Sequence, residues 1–171
     1  MKVNINIIDP DSIDSDELIR RAQNLHDLSV ESGIDNIFQP GLVKEIIIAK
    51  TLGHNVVTNK RMPDACSKKD DNIFYEYLSC YEGGSGQLDR MFKHPPKKRE
   101  ESLRRITRNN MIYFAIFFRK TLNIKSIFEI EVDDLLAETE RQLDISSNDI
   151  SHVGFSEKWA EENCKKVYSH K

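Results

Sequence analysis

The longest apolar run in this 171-residue chain, Met111 to Phe118, is only eight residues long. A membrane-spanning helix needs roughly 20 such residues, whereas a strand in a soluble domain needs about five or six. A second strand-sized run, Ile124 to Ile130, is interrupted by Lys125, Ser126 and Glu129. Both runs are rich in Ile and Phe, which favour strands. The sequence therefore predicts buried strands and no membrane partner.

Helical patterns flank these strands. Apolar residues recur at helical spacing between 15 and 32, where Ser15 or Asp16 would cap the start and Gly33 the end. Further helices are predicted at 41–52, at 132–141 and from Ser156 onward. Strands are predicted at 54–58, 64–67, 73–80, 111–119, 124–130 and near 167–168. Pro95-Pro96 is expected to bar a helix from the polar stretch 87–108, and 144–154 is expected to be a loop. This order predicts an α/β fold with a central mixed β-sheet flanked by helices.

Composition and motifs narrow the class of protein. The chain is 39% hydrophobic and 31% charged, which is typical of a single globular domain. Its three cysteines lack metal-ligand spacing and predict free thiols in a reducing cytoplasm. No phosphate loop, dinucleotide fingerprint, nucleophile elbow or zinc pattern is present, which argues against an enzyme with a small-molecule cofactor.

Positive charge is concentrated in the middle of the chain. The net charge is −3, yet residues 60–108 hold 12 bases and 8 acids. Such a segment is suited to neutralising DNA phosphates. The alternative is a solvated loop with no partner.

Two acidic residues, Asp64 and Glu76, stand twelve positions apart on neighbouring predicted strands. A hairpin would bring them together, with Glu76 facing the same side as Leu78. Adjacent carboxylates attract a hard cation, and Mg²⁺ prefers oxygen ligands. Asp64 and Glu76 are therefore candidate Mg²⁺ ligands and catalytic acids, the alternative being one acid in a turn and one on an exposed strand. Glu45, on the preceding helix, is a further catalytic candidate or a solvent-facing residue.

Several short segments occur in an order that is similar to a known family. They lie at 31–39, 45–48, 56–57, 64–65, 75–79, 114–119, 124–128, 132–135 and 165–168. The most specific is Tyr75-Glu76-Tyr77-Leu78-Ser79, which is similar to Tyr-Glu-Leu-Lys-Ser. On these segments the chain resembles type II restriction endonucleases, within the metal-dependent nucleases that carry a Pro-Asp…(Asp/Glu)-x-Lys motif.

The resemblance implies a restriction-endonuclease-like core that hydrolyses phosphodiester bonds of double-stranded DNA at a short palindromic site with Mg²⁺. It implies a homodimer in which 1–171 is a single domain, with an N-terminal helical dimerisation region at 1–40 and a nuclease core at 41–171. DNA recognition would lie around 81–108. The candidate DNA-binding residues are Asp35, Asn36, Gln39, Ser85, Gln87, Asp89, Arg90 and Lys93. Arg pairs with guanine and Gln with adenine, although Gln87 and Arg90 are equally suited to positioning the loop or contacting phosphate.

Leu78 stands where the family motif has its lysine. A lysine there would orient or deprotonate the attacking water and stabilise charge on the phosphate. Three interpretations follow. Another cation takes its place, with Lys60, Lys44, Lys68 and Lys93 as candidates; or the chain is a weakened or inactive DNA-binding relic; or metal alone activates the water.

Overall fold

The computed structural model describes residues 10–59 and 61–170. The helices are a 3₁₀ turn at Pro10–Ser12, α1 (Ser15–Glu31), α2 (Leu42–Leu52), α3 (Pro96–Thr107), α4 (Val132–Ile145) and α5 (Glu157–Asn163). The strands are β1 (Asn55–Val56), β2 (Ala65–Cys66), β3 (Phe74–Tyr81), β4 (Ser85–Phe92), β5 (Met111–Phe117), β6 (Ile124–Ile130), β7 (Ile150–Ser156) and β8 (Lys165–Ser169). The chain divides into two compact units between Val43 and Lys44.

A six-stranded sheet in the order β1-β2-β3-β5-β6-β8 forms the centre of the second unit. β3 and β5 run parallel, whereas the other neighbouring pairs are antiparallel. A separate antiparallel pair joins β4 to β7. The predicted α/β class with a mixed central sheet is confirmed, and this arrangement is compatible with a restriction-endonuclease-like core.

The central sheet is buried on both faces because its strands alternate two sets of apolar side chains. On β5, Phe114 belongs to a core that includes Leu135 of α4 and Phe155 of β7. Phe117, three positions further along β5, belongs to the core on the other face of the sheet, together with Ile48 of α2. Helices and the small sheet therefore cover one face, and α2 covers the other.

Helix α3 corrects the prediction that Pro95-Pro96 bars a helix between 87 and 108. The helix begins at Pro96. Proline is well tolerated in the first turn, where the backbone N–H has no intrahelical acceptor and the fixed φ suits a helix. The prolines therefore start this helix, and β4 occupies the residues before it.

Strand β7 corrects the prediction of a loop at 144–154. Val153 and Phe155 point into the core while their neighbours are more exposed. The strand is stabilised by its pairing with β4, in which Leu88 lies opposite Val153. That partner lies about sixty residues away in sequence, so the local pattern could not reveal it.

Helix α1 agrees with its predicted range, although its cap differs. Asp14, rather than Ser15 or Asp16, is the N-cap, and its Oδ1 accepts from Glu17 N at 3.0 Å. Ser29 is the buried residue of this helix. Five large apolar side chains of this helix remain exposed, among them Leu18 by 58%, Leu25 by 42% and Leu28 by 60%.

The prediction of free thiols is confirmed. Cys66, Cys80 and Cys164 are free thiols. Within 10–59 and 61–170, none of the helices is both long and apolar enough to cross a membrane.

Candidate active site and nucleic-acid interface

The β2–β3 hairpin brings Asp64 and Glu76 together. Ala65 pairs with Tyr75 and Cys66 with Phe74, so the register places Asp64, the residue before β2, across from Glu76. Side chains at facing antiparallel positions are about 5 Å apart at Cβ. Asp64 Oδ2 also accepts from Tyr77 N at 2.8 Å, which holds this carboxylate against the strand that carries Glu76.

Burial raises the pKa of both carboxyls. Loss of hydration is the larger cause at Glu76, the charge of Asp64 adds to it, and the pKa of Glu76 is raised to about 7. At Asp64, burial also raises the pKa, against the opposing effect of the Tyr77 N–H and of nearby arginines. Because both carboxylates have lost hydration, a cation bound between them would stabilise their charged forms.

Arg108, at the C-terminal end of α3, supplies a cation to this pair. Its Nη2 lies 3.3 Å from Glu76 Oε2. The guanidinium also donates from Nη1 to the carbonyl of Arg61 at 2.9 Å and from Nη2 to that of Met62 at 3.3 Å. These contacts fix its direction. The charges of Arg108 and Arg105 both oppose the rise in pKa of Glu76.

Sequence reasoning placed Arg108 in a basic segment without assigning it to the site. Arg105 and Arg108 are three positions apart, a spacing that predicts a shared helix face but not which strand that face meets. The mistaken exclusion of a helix from this stretch concealed that shared face.

Leu78 is part of the hydrophobic core. It is 4% exposed and lies in the cluster that contains Phe114 and Phe128. Its position on β3 puts it on the same face as Glu76, two residues along. Leu78 therefore fills apolar space beside the carboxylates.

Lys60, one of the four lysines considered as substitutes for the motif's lysine, lies outside the described residues. The other three interact with other groups. Lys44 Nζ lies 4.0 Å from the centroid of the Tyr81 ring, at the far end of β3. Lys93 Nζ donates to the carbonyls of Asp144 and Ser146. The charge of Lys68 acts on His54, whose pKa it helps to lower.

Glu45 lies in the first turn of α2 and is partly buried. Across 10–59 and 61–170, no three or more His, Cys, Asp or Glu side chains form a group able to hold a metal ion. Glu45 therefore does not complete such a group with Asp64 and Glu76. The donors that the hairpin brings together are the two carboxylates.

Three of the predicted DNA-binding residues share one face of β4. Ser85, Gln87 and Asp89 are exposed, while Gly86 and Leu88 between them are buried. Asp89 Oδ1 lies 2.7 Å from Nδ1 of His152 on β7. The outer face of the β4–β7 pair is thus polar, and a two-stranded ribbon of this kind fits a DNA major groove.

Arg90 and Lys93 differ from these three. Arg90 has a φ of 53° and lies where the β4–β7 register shifts between Leu88 and Met91. Such an irregularity re-aims the local side chain. The Lys93 ammonium is bonded to carbonyls at the C-terminal end of α4, so its charge stabilises that helix end.

The remaining DNA-binding candidates belong to the first unit. Asn36 Oδ1 accepts from Phe38 N at 3.0 Å, which forms a local turn. Gln39 N donates to the Asn36 carbonyl at 3.2 Å. Asp35 is exposed, whereas Gln39 is partly buried.

Comparison with known proteins adds no family assignment: no protein-family model matches this chain, and no curated protein matches it either.

Proposed function

We propose that this chain is a Mg²⁺-dependent endonuclease that hydrolyses phosphodiester bonds in double-stranded DNA. The observation that carries the proposal is the Asp64–Glu76 pair beside the guanidinium of Arg108. The segments that resemble type II restriction endonucleases support the more specific activity, which is cleavage at a short palindromic site.

The donor set fits Mg²⁺ in its chemistry. Both groups are carboxylates, the hard oxygen ligands that this ion prefers, and a site with one or two carboxylates plus water and phosphate oxygens is common for it. Asp64 Oδ1 and Glu76 Oε1 accept no hydrogen bond from the described residues, whose contacts to this pair are made through Oδ2 and Oε2. The chemistry supplied by a metal held there would be polarisation of the scissile phosphate and a lowered pKa of the attacking water.

Arg108 takes the role of the motif's missing cation in this proposal. A guanidinium stays protonated at any physiological pH, so it does not act as a general base. It does stabilise negative charge, and its fork of N–H donors suits phosphate oxygens. Arg108 would therefore orient Glu76 and donate to the phosphate, while water activation is left to the metal site.

A homodimer would present two such sites to a palindrome. The exposed Leu18, Leu25 and Leu28 provide an apolar stripe on α1 for a second copy. The polar face formed by Ser85, Gln87 and Asp89 is suited to reading base edges. Both assignments are parts of the proposal.

A direct test incubates the full chain with supercoiled plasmid in Mg²⁺ or Mn²⁺, beside an Asp64→Asn variant. We expect linear or nicked product from the wild type alone, and sequencing of the ends would give the target. The Glu101→Gln variant controls for loss of one acidic side chain at an exposed position of α3.

A DNA-binding relic is the second candidate, and the burial of Leu78 favours it because the motif's lysine position is filled by core packing. This candidate predicts duplex binding in Ca²⁺ or EDTA with a steep salt dependence and no cleavage in any metal. Binding without cleavage would therefore select the relic, and absence of both would contradict the two proposals together.

A further inference from the structure

A cavity lined by several cationic side chains lies at the opposite end of β3 from the carboxylate pair. It has a volume of about 640 Å³, and its walls include Lys44, Tyr81, Gly83, Arg119 and Lys120. Five residues separate Glu76 from Tyr81 on this strand, which corresponds to about 16 Å at the usual rise per residue. The cavity is therefore distinct from the proposed catalytic site.

Three cationic side chains line this cavity, and none of them forms an ion pair with a carboxylate of the described residues. Among the ion pairs of the described residues, none involves Lys44, Arg119 or Lys120. The Lys44 ammonium lies 4.0 Å from the centroid of the Tyr81 ring and 5.3 Å from that of Phe117. Partial burial lowers the pKa of Lys44 because its charged form has lost hydration, and the neighbouring Cys80 thiol opposes this effect. An anion in the cavity would restore that stabilisation.

Arg119 is held in a defined direction. Its Nε donates to the carbonyl of Glu82 at 3.1 Å. The guanidinium packs so closely over Gly83 that an added Cβ there would lie 2.7 Å from Nη2, and Gly83 also has a φ of +76°. The chain thus leaves room at Gly83 for this guanidinium, whose two terminal nitrogens donate no hydrogen bond to the described residues.

Glu82, the acid in the cavity wall, already has a cationic partner and a hydrogen-bond donor. Glu82 Oε2 lies 3.7 Å from Lys125 Nζ, and its Oε1 accepts from the Arg119 backbone N–H at 3.5 Å. Lys125 is also paired with Glu157. Three cations against one paired carboxylate leave the cavity with net positive charge, and the hydroxyls of Ser79 and Ser85 add neutral donors to its wall.

We propose that this cavity binds a phosphate group through Lys44, Arg119 and Lys120. A planar guanidinium with two ammonium groups is a set that matches the tetrahedral oxygens of phosphate. The group comes either from a DNA backbone that extends beyond the carboxylate pair or from a small phosphorylated molecule. The proposal does not depend on cleavage by the protein.

The test compares a Lys44→Gln/Arg119→Gln double variant with a Lys50→Gln/Lys69→Gln control, which removes the same charge from exposed positions. The probes are inorganic phosphate, adenosine monophosphate and a 20-base-pair duplex, all in EDTA. We expect at least one probe to bind the wild type and to lose tenfold or more affinity in the pocket variant but not in the control. Lys120→Gln is the second variant if the double variant does not fold.

The probes separate the two sources. If only the duplex is affected, and the slope of log K against log salt falls by about 0.9 for each lost phosphate contact, the source is the DNA backbone. If inorganic phosphate or the mononucleotide is affected, the source is a small molecule. Equal affinity of both double variants for every probe, or no binding of any probe by the wild type, would overturn the proposal. Failure of plasmid cleavage with the phosphate response intact would count against the nuclease proposal alone.

Discussion

Arg108 donates from Nη2 to Oε2 of Glu76 across 3.3 Å, although 32 residues separate them in the chain. The contact joins the end of α3 to the middle of β3. Because the same guanidinium is bonded to the carbonyls of Arg61 and Met62, its place beside the acid is set by backbone as well as by charge. Positive charge at this site is thus supplied from a helix, while the strand position two residues after Glu76 is apolar.

Replacement of Arg108 by Ala is expected to lower plasmid cleavage by about 10²-fold, the usual effect of losing one preorganised donor at a reacting phosphate. It should also tighten Mn²⁺ binding, because a competing positive charge is removed from Glu76. Arg104→Ala is the matched control, since Arg104 lies one turn earlier in α3 and pairs with Glu100. Unchanged cleavage and unchanged Mn²⁺ affinity in Arg108→Ala would show that this arginine plays neither role.

Glu76 should make the metal-free protein less stable as pH rises. Its pKa is about 7 in the folded chain against 4.5 as its ordinary value, so the folded state binds the proton more tightly. The resulting stabilisation is complete below about pH 4.5 and is lost as pH rises through 7, with a size of about 3 kcal/mol. Urea unfolding in EDTA at about pH 4 and about pH 8 measures it. The difference in unfolding free energy between the two pH values should shrink in Glu76→Gln and persist in Glu101→Gln. An equal pH dependence in all three proteins would contradict the assignment to Glu76.

Restoring the motif's lysine at Leu78 is expected to destabilise the fold. An ammonium at a position that is 4% exposed would lie among apolar side chains, at a cost of about 3 kcal/mol. Leu78→Met, which conserves volume, should cost less than about 1.5 kcal/mol. Chemical unfolding of both variants gives the comparison. If Leu78→Lys is as stable as Leu78→Met, there is space for a second cation beside Glu76 and the core does not exclude it.

Gly86 tests the packing of the small sheet against the central one. A Cβ at this position would lie 2.6 Å from Cε2 of the buried Phe114, so Gly86→Ala should cost about 1–3 kcal/mol. Gly154→Ala is the control on the paired strand, where the nearest atom would be Ser85 Oγ at an ordinary 3.5 Å. Thermal melts of the two variants should differ clearly. Equal stability would mean that β4 and β5 adjust to each other without strain.

The sequence by itself determined the elements whose pattern is local. The apolar run of β5 and the helical spacing on α1 required no distant partner, because a short run rich in Ile and Phe predicts a buried strand and a period of 3.6 residues predicts a helix. Asp64 and Glu76 were also found from sequence, since a short hairpin brings acids on its two strands together whatever the rest of the fold does.

Tertiary structure alone decided the features that depend on distant partners. β7 is a strand because β4 lies beside it, and Leu78 is buried because Phe114 and Phe128 cover it. Arg108 reaches Glu76 only because α3 ends over the β2–β3 hairpin. No spacing along the chain encodes that meeting, and so the acids of this site were predicted while the cation that stands beside them was not.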